Sequence, residues 1–184
     1  MAEYERIIHP FSPFYRADSE VLILGSLPSV KSREQGFYYG HPRNRFWRML
    51  LQIFGEQGSL ESIEEKKSFL EKHSLALYDV IYSCEIRGSS DSSIRNVIPA
   101  DIGEIMQCSQ VSRILLNGKT AARFFRKYQS REYQDIMWEL PSTSPANAAM
   151  SLDALVERWQ QAVTQGTGGN RFDRGRTTAS FDLL

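Results

Sequence analysis

Four short segments of the chain are almost wholly apolar, and turn residues follow them. They cover residues 21–24, 75–81, 113–116 and 136–140. Short apolar runs of this kind are typical of strands that are buried on both faces of a parallel sheet. The pattern therefore predicts four buried strands, the first of which ends at Gly25 and Ser26.

The stretches between these runs have helical spacing of apolar residues. Helices are predicted from Asn44 to Gly55, over 59–73 with Ser59 or Ser62 as the cap, in a short segment after Pro99 that Asp101 caps, over 119–128, and over 151–163. Strands alternating with helices predict an α/β fold, a three-layer α/β/α sandwich with a short, mostly parallel four-stranded sheet. Ligand sites in such folds lie at the carboxyl ends of the strands, where two long loops start, 25–43 and 141–150.

Composition supports one globular domain. Of the 184 residues 41% are hydrophobic and 24% are charged, which excludes a coiled coil or a wholly disordered chain. We expect residues 1–163 to form a single domain and the Gly- and Arg-rich residues 164–184 to be a disordered tail. No apolar run approaches the ~18–20 residues of a membrane span, and prolines interrupt the N-terminal region, so we expect a cytoplasmic protein, nucleoid-associated if prokaryotic, with no membrane partner.

Charge and cysteine content exclude only a few kinds of functional site. The 22 basic and 22 acidic side chains cancel, although residues 43–48 and 113–131 contain basic residues and no acid. Cys84 and Cys108 have no neighbouring Cys or His, which indicates neither a disulfide framework nor a zinc site. We therefore expect a monomer that uses no metal ion and no cofactor.

Three segments contain candidate functional residues. The turn at 25–29 (GSLPS) lacks the lysine of a P-loop and the pattern of a nucleophile elbow, so it predicts only backbone amides close to a ligand. The long loop at 36–47 (GFYYGHPRNRFW) contains Asn44, which alone would be a helix cap, and aromatic residues that fit a core equally well. The segment 140–147 (LPSTSPAN) offers short hydroxyls suited to phosphate, or is a plain linker.

Together these segments resemble the uracil-DNA glycosylase superfamily. The chain resembles mismatch-specific uracil-DNA glycosylases through HPRNRFW (41–47) and LPS (140–142), and hypoxanthine (deoxyinosine) DNA glycosylases through GSLPS, YYGHPRNRFW and LPSTSPAN. The resemblance covers about residues 5–163. It departs from the mismatch-specific group at Leu27, where that group has its water-orienting asparagine.

The resemblance implies a role for several residues. Asn44 takes the catalytic position and would orient a water molecule, since an amide oxygen can accept a hydrogen bond from water but is no general base. Tyr39 occupies the place where relatives stack an aromatic ring on the flipped base, with Tyr38 as the competing choice. Asp79 would accept the N1–H of hypoxanthine, or instead cap nearby backbone, and His41 would bind the leaving base or a phosphate, or be structural. Gly25 and Ser26 complete the expected base-binding set.

The remaining expected contacts are to the DNA backbone. Residues Pro141, Ser142, Thr143 and Ser144 would grip phosphates beside the lesion, and Lys119 would add non-specific attraction. The implied activity is a metal-independent, monofunctional excision of deaminated bases from double-stranded DNA, chiefly hypoxanthine, leaving an abasic site. A uracil or mismatch glycosylase, a catalytically silent nucleic-acid-binding domain, and a small-molecule nucleotide hydrolase are the alternatives.

Overall fold

A computed structural model of the protein describes residues 3–88 and 90–165. The strands are β1 (Tyr4–Ile8), β2 (Val21–Gly25), β3 (Leu75–Asp79), β4 (Ile81–Arg87), β5 (Arg95–Pro99), β6 (Arg113–Asn117) and β7 (Met137–Leu140). The helices are α1 (Val30–Gln35), α2 (Phe46–Ile53), α3 (Ile63–Lys72), α4 (Gly103–Cys108), α5 (Lys119–Tyr128), α6 (Arg131–Gln134) and α7 (Leu152–Thr164), with one 3₁₀ turn at Asp91–Ser93.

The main sheet has four parallel strands in the order β3-β2-β6-β7, which confirms the predicted α/β class. Its four strands are the four apolar runs of the sequence. β2 and β3 are buried along their whole length, because other elements cover both faces of the sheet. Crossovers between parallel strands are right-handed as a rule, which puts α1–α3, between β2 and β3, on one face of the sheet and α5–α6, between β6 and β7, on the other. α7 packs on α2, where the Trp159 and Phe46 rings meet edge to face at 6.4 Å.

A second sheet was not predicted. It is antiparallel, in the order β1-β4-β5, and β4 starts only one residue after β3 ends. The apolar run 75–81 therefore spans the whole of β3, a break at Val80 and the first residue of β4. Its strands escaped prediction because they mix exposed polar residues with buried ones, and β5 contains Asn96 at a φ of +51°.

Most of the predicted helices are present. α5 has the predicted bounds, and α3 starts after Ser62, which forms a capping box with Glu65. Asp101 accepts a hydrogen bond from the Gly103 N–H at 2.8 Å, where α4 starts. The loop 25–43 contains the short helix α1, which was not predicted because its sequence has no helical spacing of apolar residues.

The terminal regions were predicted less completely. Of the predicted tail, Thr164 is the last residue of α7 and Gln165 follows it; residues 166–184 lie outside the described part of the chain. Within the described ranges, no helix is long and apolar enough to cross a membrane.

Candidate active site at the strand ends

A single cavity of about 940 Å³ lies where all four parallel strands end. The last residue of each strand lines it: Gly25, Asp79, Asn117 and Leu140. β2 and β6 are neighbours whose outgoing connections run to opposite sides of the sheet. A crevice forms at such a switch point, which is where open α/β sheets bind ligands.

Gly25 brings the backbone of β2 against Asp79. A Cβ atom at this position would collide with Asp79 Oδ1 and would lie 3.3 Å from the Tyr39 hydroxyl oxygen. Glycine is therefore required by the close approach of these two side chains. Ser26 follows it and lines the same cavity, half-buried.

Asp79 is paired with His9, a residue that sequence reasoning did not single out. His9 Nε2 lies 2.8 Å from Asp79 Oδ2, and His9 Nδ1 lies 2.7 Å from the Phe11 carbonyl oxygen. The His9 side chain is 0% exposed and that of Asp79 is 5% exposed. The expected alternative for Asp79, capping of nearby backbone, is not what the structure shows; its partner is a side chain 70 positions away.

The rings of three tyrosines surround this pair. Burial raises the pKa of the Tyr38 hydroxyl far above its usual value, and the Asp79 charge adds to the shift. The same two causes, in the same order, raise the pKa of Tyr39 and of Tyr78. All three hydroxyls are consequently neutral, and the wall of the cavity around Asp79 carries no phenolate.

Tyr39 adopts an unusual backbone conformation. Its φ is +54°, which is strained for a tyrosine and is found mainly where the surroundings impose it. Its ring stacks on Phe46 with a centroid separation of 3.7 Å and lines the cavity. The hydroxyl is buried and makes no hydrogen bond of normal geometry among the described residues. The nearby Asn117 side chain lowers the pKa of the hydroxyl, but burial outweighs this effect.

Tyr38, the competing aromatic residue, is mainly a core residue. It is 2% exposed, and its hydroxyl donates a hydrogen bond to the Ser12 carbonyl at 3.0 Å. Although both rings border the cavity, Tyr38 is held by the N-terminal segment, whereas the hydroxyl of Tyr39 lacks a partner.

Asn44 lines the cavity and also caps α2. Its Oδ1 accepts a hydrogen bond from the Phe46 N–H at 3.0 Å, and its own N–H donates to the His41 carbonyl at 2.8 Å. The hydrogen bond to the Phe46 N–H agrees with the capping interpretation of Asn44, and its catalytic role stays a prediction. An amide oxygen has two lone pairs, so the capping bond leaves one for a water molecule.

His41 is not among the residues that line the cavity. Its Nδ1 accepts a hydrogen bond from the Arg43 N–H at 3.1 Å, which places the proton of the neutral ring on Nε2. The structure thus gives His41 a role in shaping the turn, and its contact with the base stays a prediction.

The segment 141–144 lines the opposite side of the cavity. Pro141, Ser142 and Ser144 are partly exposed there, but Thr143 is 0% exposed. The Thr143 N–H donates to Asn117 Oδ1 at 3.0 Å, and its hydroxyl accepts from Asn117 Nδ2 at 2.9 Å. Thr143 therefore anchors the loop to the end of β6, and its contact with a phosphate stays a prediction.

Arg45 anchors the other end of this loop. Its guanidinium donates hydrogen bonds to four backbone carbonyls, those of Thr143 at 3.3 Å, Ser144 at 2.7 Å, Asn147 at 2.9 Å and Met150. Its backbone N–H also donates to the Thr143 carbonyl at 3.2 Å. A planar, five-donor guanidinium is suited to such a cluster of acceptors, which a lysine could not satisfy.

Lys119 is exposed at the first turn of α5 and borders the cavity, as a DNA-backbone contact would require. No three His, Cys, Asp or Glu side chains come together as candidate metal ligands in residues 3–88 and 90–165. The polar groups that line the cavity are amides, hydroxyls and the charged side chains of Arg33, Asp79, Asp91, Lys119 and Glu139.

Comparison with known proteins identifies the family. A model of the "Uracil DNA glycosylase superfamily" matches residues 12–163, which is most of the chain. The chain belongs to this superfamily. Its members are DNA glycosylases, so the cavity at the strand ends is a candidate glycosylase active site and DNA is the expected substrate.

Individual relatives of this superfamily member agree with the assignment. A protein of Methanosarcina barkeri named hypoxanthine DNA glycosylase is 31% identical over 83% of this chain and 95% of its own length. A protein of the same name from Methanosarcina acetivorans is 33% identical over 78% of this chain and 89% of its own. The solution NMR structure of a proposed uracil DNA glycosylase from M. acetivorans superposes with a TM-score of 0.71 at 30% identity, covering 83% and 94% of the two chains.

Sequence reasoning did not assign a role to three side chains at or next to this candidate site. His9, Arg45 and Asn117 act through contacts that span 70, 98 to 105 and 26 positions. Asn117 had a usable signal, since it is a polar residue directly after an apolar strand. His9 and Arg45 had none, because local patterning carries no information on such distant partners.

Proposed function

We propose that this protein is a monofunctional glycosylase that removes hypoxanthine from deoxyinosine in double-stranded DNA and leaves an abasic site. The observation that carries the proposal is that Asn44 and Tyr39, from the loop 36–47, and Asp79, from the end of β3, line one cavity at the strand ends. The names of the two Methanosarcina relatives support hypoxanthine as the base.

The proposed chemistry requires a positioned water molecule. Cleavage of the N-glycosidic bond develops positive charge on the sugar and expels the base as an anion, so a strong base is not needed. Asn44 would hold the water below C1′ through the lone pair of Oδ1 that Phe46 does not use. Because an amide cannot take the proton from water, we expect a modest rate.

The target base has to leave the helix before it is cut. Flipping costs a few kcal/mol and is least costly for a mispaired or damaged base. The free face of Tyr39 would stack on the flipped base, which contributes ~1–3 kcal/mol, while Phe46 supports its other face. Asp79 Oδ1, beside Gly25 and Tyr39, would accept the N1–H of hypoxanthine, whereas adenine presents a lone pair at N1.

The DNA backbone would be held by the far side of the cavity. Pro141, Ser142 and Ser144 present a stiff segment with short hydroxyls and backbone groups, and Lys119 adds a positive charge next to it. Phosphate contacts of this kind position the strand without reading its sequence.

The test is single-turnover excision on labelled duplexes that carry hypoxanthine, uracil, xanthine or a normal base, scored after alkaline nicking of abasic sites. We expect release of hypoxanthine by the wild type, and a loss of about 10²-fold or more in Asn44→Ala. Asn44→Ser is the matched control, because serine retains the cap on α2 without the reach of the amide; it should fold like the wild type and be equally inactive. Asn44→Asp retains the cap and gains a base, so it should be active.

Other outcomes would redirect the proposal. Preferential release of uracil would make the protein a uracil or mismatch glycosylase. Cleavage of free deoxyinosine would indicate a nucleotide hydrolase, and nicking without alkali would indicate a lyase step. No release from any duplex, with DNA binding intact, would leave a catalytically silent binding domain.

A further inference from the structure

The proton on His9 can be located from its hydrogen bonds. The Phe11 carbonyl, 2.7 Å from Nδ1, can only accept a hydrogen bond, so Nδ1 must carry a hydrogen. If His9 is neutral, Nε2 then has none. A neutral Nε2 facing an ionised Asp79 Oδ2 at 2.8 Å would place two lone pairs against each other in a buried site.

One proton must therefore lie between Nε2 and Oδ2. The pair is either an imidazolium with a carboxylate or an imidazole with a carboxylic acid, and both arrangements are neutral overall. In both, the shared proton lies between His9 Nε2 and Asp79 Oδ2, and Oδ1 carries none. Oδ1 has no hydrogen-bond partner among the described residues and lies beside Gly25 and Tyr39, which line the cavity, while His9 does not.

We propose that His9 is a specificity-determining residue, which keeps the cavity-facing oxygen of Asp79 a hydrogen-bond acceptor and so makes the site reject purines that lack a proton at N1. This inference rests on the proposed function, because it explains how the same site separates hypoxanthine from adenine. His9 acts through Asp79 and does not touch the base, so it is a positioning residue.

Loss of His9 should change which hydrogen-bonding pattern Asp79 presents. Asp79 would remain enclosed by Tyr38, Tyr39 and Tyr78, whose hydroxyls are neutral, and burial without a cationic or donor partner favours the protonated carboxyl. With the proton on Oδ1, the oxygen that faces the cavity could donate a hydrogen bond to adenine N1. Discrimination between the two purines would then fall.

The test uses a matched pair of variants. His9→Phe retains a ring but has no donor, whereas His9→Gln can place its Nε2–H close to where the histidine Nε2 lies. Both lose the hydrogen bond to the Phe11 carbonyl, so they differ chiefly in the contact with Asp79. The readout is the ratio of the dissociation constants for duplexes that carry 2′-fluoro-deoxyadenosine or 2′-fluoro-deoxyinosine, both uncleavable, opposite the same cytosine.

We expect the wild type and His9→Gln to prefer the inosine duplex and His9→Phe to lose at least about tenfold of that preference. A uniform loss of affinity in His9→Phe with the ratio retained would overturn the inference and leave the proposed function standing. Absence of any preference in the wild type would overturn the inference as well, and hypoxanthine excision by the wild type then decides separately whether the proposed function survives.

A second measurement needs no variant to fold. The chain has three histidines, so nitrogen-15 resonances of the imidazoles in the wild type can be assigned and their protonation read directly. We expect His9 Nδ1 to carry a hydrogen and Nε2 to be protonated or to accept a strong hydrogen bond. An Nδ1 without hydrogen would contradict the inference.

Discussion

Replacement of Arg45 is the sharpest test of how the site is held together. The guanidinium donates to the carbonyls of Thr143, Ser144, Asn147 and Met150, which belong to the loop on the far side of the cavity. Arg45→Ala would remove the guanidinium from all four carbonyls. The Met150 carbonyl would lose its donor, whereas those of Thr143, Ser144 and Asn147 would each keep one backbone N–H donor. A hydrogen bond from a charged group contributes about 1.5–3 kcal/mol, but such contributions are not additive within one cluster, and water can reach some of these carbonyls.

We therefore expect Arg45→Ala to lower the free energy of unfolding by about 2–4 kcal/mol, and Arg45→Lys by about half of that, since an ammonium has three donors and no planar fork. Urea unfolding measures the change. In single-turnover assays both variants should bind lesion DNA more weakly, because the loop proposed to hold the phosphates would no longer have a fixed shape.

Arg48→Ala is the control for this experiment. Arg48 lies on the same helix, is exposed, and makes no hydrogen bond or ion pair within the described residues. Its replacement should change stability by less than about 0.5 kcal/mol. If Arg45→Ala were as mild as Arg48→Ala, the loop would be held by something other than the guanidinium, and the reasoning would fail.

Two further predictions concern the two sides of the cavity. Gly25→Ala should reduce hypoxanthine excision at least about tenfold with a small change in stability, because the methyl group would displace Asp79 or Tyr39. Wild-type activity in this variant would show that the close approach does not matter. Lys119→Gln should weaken DNA binding and reduce the slope of log affinity against log salt by about 0.9, as expected for one phosphate contact. Lys127→Gln, at the far end of α5, is the control and should leave the slope unchanged. Equal slopes for both variants would contradict a contact by Lys119.

Much of the fold was predictable because its main signals are local. The parallel strands are fully apolar runs, and helices such as α5 have apolar residues at helical spacing, so both follow from a few neighbouring residues. The antiparallel sheet was not predictable in the same way. β1 and β4 present exposed polar residues next to buried ones, and their pairing of Tyr4 with Arg87 depends on residues far apart in the chain.

The candidate site, too, was predictable where its signals are local and not where its residues meet distant partners. Gly25 and Asp79 stand at the ends of apolar strands, and a parallel sheet necessarily brings such ends together, so the sequence pattern was sufficient to bring them to one place. The partner of Asp79 was not predictable, because His9 reaches it from a separate segment of the N-terminal region. The burial of Thr143 was not predictable for a related reason: a threonine in a polar loop gives no sign that it is hydrogen-bonded to Asn117.

One short turn links the proposed water site to the proposed phosphate site. Asn44 is fixed by its bonds to the His41 carbonyl and the Phe46 N–H, and the next residue, Arg45, binds the loop at 143–150 through its side chain and its backbone. A shift of that loop cannot leave Asn44 in place, because a single peptide unit joins the two residues. If DNA is held by the loop and water by Asn44, the distance between the held strand and the attacking water is set by the same segment of backbone. The water is then positioned relative to the DNA rather than relative to the sheet, which is what attack at C1′ requires.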